Sequence, residues 1–191
     1  MLVRLAQGYE LHHDWVPYDR IAPELANAVV ASEDNLFCRE RLGFDEKALF
    51  EQIAAWWRGE RSRGASTITM QTARNLLLWP GRDVLRKTIE AWLTPQIAFL
   101  WPKQRILEVY LNSIEFGPGI YGAEAAAQRY FQRTAAQLST DFAWRSSCLL
   151  HSSGRPHDQA HSYGNARRSF ATVSNRSSLC LTAPTNRRGK R

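Results

Sequence analysis

Near Ser139 the chain changes character, and this bounds what can fold. Before that point apolar residues recur at helical spacing in one segment after another. Beyond it the periodicity disappears, serine and arginine become frequent, and the only acids are Asp141 and Asp158. Such a stretch cannot bury enough apolar area to offset a backbone ordering cost of about 1–2 kcal/mol per residue. Residues 139–191 therefore read as a disordered basic tail, with an out-of-frame or otherwise aberrant ending favoured over a natural extension. Residues 1–138 carry the foldable unit, one domain in a chain of 191 residues.

Within that unit the elements read as helices. "PELANAVVAS" from Pro23 is a short helix that delivers Glu33 and Asp34 at its C-terminal end. Asp45 is placed to cap a second helix, "EKALFEQIAAWWRG", with Leu49, Ile53, Ala54 and Trp57 at core spacing and Gly59 as its stop. "ERSRGA" reads as a basic mobile loop. In "STITMQTARN", Ser66 can cap a third helix, with Ile68, Leu76 and Leu77 turned to the core. Val84–Leu100 is a longer amphipathic segment in which Pro95 predicts a kink or break. Pro102 suits the first turn of "KQRILEVYLN". "FGPGIYG" predicts a loop of tight turns, and "AEAAAQRYF" a last short helix. No alternating strand of useful length is present, so the fold class is mainly α.

The net charge of +7 and a pI near 9.7 point to an anionic partner. Much of the excess lies in the tail, which weakens a nucleic-acid reading, and no nucleic-acid partner is expected. Cys38, Cys148 and Cys180 give neither a disulfide framework nor a paired metal signature. His12 and His13 lack metal spacing and read as surface residues. No run of about 18 apolar residues exists, and "MLVRLAQGYELHH" has no signal-peptide core, so a membrane anchor is expected to be absent from this chain.

Three groups of residues carry chemistry. Glu33 and Asp34 open onto a loop, where a carboxylate can serve as general base; the plainer alternative is a solvated acid pair. Thr67, Gln71 and Arg74 fall at i, i+4 and i+7 and share one helix face, a polar stripe that ends in a cation. It can be an ordinary wet surface or the wall of a groove for an anionic, hydroxyl-rich ligand. Arg86, Lys87 and Glu90 form i+4 and i+3 pairs, either a helix-stabilising ion pair or a second carboxylate held by phosphate-attracting cations. Trp56, Trp57, Trp79, Trp92 and Trp101 read as core and membrane-facing residues rather than sugar platforms.

Four blocks occur in order: "ASEDNLF…GFD", "GASTITMQTARN", "RKTIEAWL" and "ILEVYLNSIEFGPGIYGAEAAAQRYF". From about Val16 to Leu138 they resemble the successive motifs of the peptidoglycan glycosyltransferases, glycosyltransferase family 51. The resemblance implies a lysozyme-like helical domain at the periplasmic face of a bacterial inner membrane. Its substrates would be lipid II and the growing glycan chain, and its surroundings the membrane surface and other cell-wall synthesis proteins. Residue by residue, Glu33 matches the general base and Glu90 the second glutamate. Asp34, Ser66, Thr67, Gln71, Asn75, Arg86 and Lys87 match substrate-binding positions. Arg74 stands where the family usually has lysine, Met70 replaces a usual glutamine, and Glu40 to Leu42 replace the usual histidine region. The helical segment and proline-containing motif that should follow "TAAQLS" are missing, so the domain is read as C-terminally incomplete. No cofactor is required by the residues, and a divalent cation (Mg or Mn) is left open. Beside the active enzyme stands a second reading, a truncated inactive member that only binds lipid II or a cell-wall complex.

Overall fold

The computed structural model describes residues 2–59, 66–79, 81 and 83–138. The expectations for "ERSRGA" and for the tail from Ser139 onward lie outside the described residues.

Seven helices and three short strands are present among them: α1 (Leu2–Ala6), β1 (His12–His13), α2 (Pro23–Glu33), α3 (Glu46–Trp57), α4 (Ile68–Leu77), α5 (Val84–Leu100), α6 (Lys103–Ser113), β2 (Glu115–Gly117), β3 (Ile120–Tyr121) and α7 (Ala123–Phe131). The mainly α class holds. Pro23 starts α2 in the first turn, where its missing N–H costs nothing. Asp45 caps α3 by accepting the Ala48 N–H at 3.1 Å, and Gly59 stops it with φ of +69°. α4 packs against both α5 and α6. The core between them and α2 contains Leu25, Val29, Phe37, Ile68, Ile106, Leu107 and Leu111.

Four local expectations are corrected. The cap of α4 is Thr67, not Ser66: the Thr67 hydroxyl accepts the Met70 N–H at 3.2 Å and donates to the Gly43 carbonyl at 2.6 Å. Two adjacent hydroxyls compete for the cap, and only Thr67 finds a buried acceptor as well. Leu76 and Leu77 are 40% and 58% exposed, because the inner face of α4 runs through Ile68, Thr69, Thr72 and Ala73 and its last turn leaves the core. α5 runs through Pro95 without a break. The proline deprives the Ala91 carbonyl of a helical donor on an exposed turn, where water can replace it. Finally, "FGPGIYG" forms the hairpin β2–β3. β3 also pairs in parallel with β1, with His12 opposite Ile120 and His13 opposite Tyr121. Gly119 turns the hairpin with φ of +80°, and a Cβ there would lie 2.4 Å from the Glu10 carbonyl oxygen.

The tryptophans divide. Trp101 packs against the core, whereas Trp57 is 78% exposed and Trp79 and Trp92 are also exposed. Trp57 is thus no core residue of α3.

Candidate active site

The C-terminal end of α2, the loop after it and the N-terminal ends of α3 and α4 converge on a cleft of about 210 Å³. Its walls include Ser32, Glu33, Asp34, Asp45, Ser66 and Thr67. Polar groups gather here because helix ends leave backbone donors and acceptors without intrahelical partners.

Asp34 is the residue just past α2, and its N–H still bonds the Val30 carbonyl at 3.0 Å. Its Oδ2 accepts the N–H of Ile68, the first residue of α4, at 2.9 Å. A carboxylate at a helix N-terminus meets unsatisfied N–H groups and the positive end of the helix dipole. This buried contact locks the end of α2 to the start of α4. Glu33, one residue earlier, is half-buried and receives a hydrogen bond on Oε2 from Gln71 Nε2 at 3.2 Å. Gln71 Oε1 in turn accepts the Tyr110 hydroxyl at 3.3 Å.

Behind Asp34 lies a charged cluster that the sequence did not announce. Glu40 is buried beside Asp34, and burial followed by the Asp34 charge raises its pKa to about 8. Burial also raises Asp34, and it lowers Lys103. Two carboxylates offer only acceptors, and neither Glu40 oxygen has a donor. A proton on Glu40 turns that repulsion into a hydrogen bond to Asp34. The Lys103 ammonium lies 4.4 Å from the centre of the Phe37 ring, a cation–π contact inside the fold.

The other wall comes from α5. Glu90 is only 1% exposed; Arg86 Nη1 binds its Oε2 and Lys87 Nζ its Oε1, each at 2.7 Å. Lys87 Nζ also donates to Ser66 Oγ at 3.3 Å. Glu90 thus reaches the cleft through the cations it holds. Hydrogen bonds and shared cleft walls bring Ser66, Thr67, Gln71, Glu33 and Lys87 together. Arg74 lies one turn beyond Gln71, its Nε donating to Asn75 Oδ1 at 3.4 Å on the exposed side. Glu33 and Arg74 both act by charge on the buried Tyr110 hydroxyl, with opposite sign.

The family model described as "Transglycosylase" matches residues 2–178. This chain is a member of the transglycosylase family. The match continues past Leu138, where the motif resemblance ends. The chain is similar to the biosynthetic peptidoglycan transglycosylase of Caulobacter vibrioides, 49% identical over 150 residues, covering 78% of this chain and 65% of that relative. It is 53% identical to the protein of the same name from Aeromonas hydrophila, over 70% of this chain and 57% of the relative. For the Bdellovibrio bacteriovorus protein, again of that name, the figures are 51%, 68% and 51%. The chain therefore spans between 51% and 65% of the length of these transglycosylases.

Sequence reasoning missed Tyr110, Glu40 and Lys103. Tyr110 had a readable signal: it shares the apolar face of α6 with Ile106, Leu107 and Leu111, and a core tyrosine must find its hydroxyl a partner. Glu40 had none, since "CRER" reads as a solvated charge run. Among the described residues no group of three or more His, Cys, Asp or Glu side chains is placed to hold a metal ion.

Proposed function

We propose that the chain is a peptidoglycan glycosyltransferase that polymerises lipid II into β-1,4 glycan strands and releases undecaprenyl diphosphate. The observation that carries the reading is Glu33 on the wall of the cleft, hydrogen-bonded by Gln71, with Ser66 on the same wall bonded by Lys87. Glu33 takes the proton from the acceptor's GlcNAc 4-hydroxyl as its oxygen attacks C1 of the donor's MurNAc. The C1–O bond to the diphosphate breaks as the new bond forms, and the configuration inverts from α to β. The departing diphosphate carries the developing negative charge, and Arg74 with Lys87 offsets it. Glu90 holds and aims Arg86 and Lys87 through its two ion pairs rather than touching the sugar. These cations supply the neutralisation in the proposed step.

The setting is the periplasmic face of the inner membrane. Exposed Phe50 and Trp57 lie seven residues apart on one face of α3, which suits a membrane surface. No described helix is long and apolar enough to cross a membrane. Beside the transferase stands a second reading, a member that binds lipid II without polymerising it. Incubating the chain with labelled lipid II separates the two. Glycan strands and free undecaprenyl diphosphate support the transferase; saturable lipid II binding with no strand formation supports the binding reading and overturns the first.

A further inference from the structure

Gln71 is gripped at both ends of its carboxamide. Tyr110 Oη meets Oε1 at 3.3 Å, and Nε2 meets Glu33 Oε2 at 3.2 Å. An amide's two ends are nearly the same size and opposite in hydrogen-bonding sense, so its neighbours decide which end points where. Glu33 can only accept while ionised. Tyr110 can accept or donate, but it is 1% exposed on the core face of α6, and among the described residues its hydroxyl bonds Gln71 alone. Burial, with Glu33 nearby, pushes its pKa well above the ordinary range, so the phenol keeps its proton. That proton needs an acceptor. It turns Oε1 inward, and Nε2 must then face the carboxylate.

We infer that Tyr110 is a positioning residue for Glu33, acting through Gln71 by fixing the carboxamide so that its N–H is presented to the carboxylate. The inference rests on the reading of Glu33 as the general base. A fixed donor on Oε2 favours the ionised form and restrains the side chain's rotation at the cleft. A cation in the same place would depress the basicity further, whereas a neutral amide orients the carboxylate and leaves it able to take a proton. Tyr110 touches no substrate in this scheme.

The test follows the Glu33 carboxyl by ¹³C NMR titration of the glutamate-labelled chain, its signal assigned by loss in Glu33→Gln. Tyr110→Phe keeps the ring and removes only the hydroxyl. It should raise the Glu33 midpoint by about 0.4–1 pH unit, the equivalent of one net hydrogen bond. In a Gln71→Ala background the same replacement should move the midpoint by less than about 0.2 units, because the connection is already cut. Gln71→Glu should raise the midpoint through like-charge repulsion, which gives a second reading if Tyr110→Phe folds poorly. An unmoved midpoint in a folded Tyr110→Phe, or equal shifts of Tyr110→Phe with and without Gln71, overturns the inference, and where that variant folds poorly an unmoved midpoint in Gln71→Glu does. The titration needs no turnover. Near-normal lipid II polymerisation by Glu33→Gln would instead remove Glu33 as the base, so the two failures are distinguishable.

Discussion

Glu40 sits among charges of its own sign, with Asp34 and Asp45 near it and Lys103 opposing them. Its pKa rises from 4.5 in the open chain to about 8 in the fold. Between these values the folded state binds more protons than the unfolded, so this group's contribution is full below about pH 4.5 and is lost as pH rises to about 8. Asp34, also raised, acts in the same sense from its own lower range upward. Lys103, lowered by burial, acts in the opposite sense below its ordinary range. Thermal melts should therefore show a midpoint that falls from pH 5 to pH 8. Glu40→Gln should flatten that slope and melt several degrees above the parent at pH 8; identical slopes in both proteins would refute the assignment. At Arg74 the charge should matter more than the shape. Arg74→Lys should keep substantial lipid II turnover and Arg74→Ala should lose most of it, and equal losses would show that the planar guanidinium is required. The sequence made Thr67, Gln71 and Arg74 legible because their spacing on one helix face is local, and Glu33 because it ends its own helix. It could not show Glu40 and Asp34 together, since what buries that pair is packing.

At the scale of elements, the Thr67 hydroxyl does two jobs at the start of α4. It caps the helix and satisfies the buried Gly43 carbonyl on the loop after α2. Gly43 itself has φ of +74°, and a Cβ there would come within 2.8 Å of the Thr69 methyl. Thr67→Ala should cost roughly 2–4 kcal/mol in urea unfolding, from the lost cap and the orphaned carbonyl together. Thr67→Ser should recover most of it; a Ser variant as weak as Ala would mean that the methyl packing, not the hydroxyl, carries the effect. Caps such as Asp45 and stops such as Gly59 were readable because each acts within a few residues. The choice between Ser66 and Thr67 was not, because the deciding acceptor is Gly43. The hairpin was missed because strands of two or three residues show no alternation, and β1 reaches β3 from the other end of the domain.

Across the whole molecule, one buried amide joins the N-terminal segment to the helical body. Asn112 Oδ1 accepts the Val16 N–H at 2.9 Å, and its Nδ2 donates to the Val16 carbonyl at 2.9 Å and the Glu108 carbonyl at 2.8 Å. The Asn112 carbonyl meets His13 Nε2 at 2.9 Å. Asn112→Ala leaves both Val16 backbone groups without these partners, at about 1–3 kcal/mol for each group that stays unsatisfied. The loss should appear as faster amide exchange along residues 12–16, and unchanged exchange there would contradict the role. On the proposed function, this scaffold presents one carboxylate, Glu33, to a sugar hydroxyl beside a departing diphosphate. Lipid II polymerisation by Glu33→Gln against the parent chain, at matched lipid II binding, tests it most directly. A fall of about 10²–10⁴-fold in strand synthesis is the predicted result, and near-normal synthesis by the glutamine variant would contradict the account.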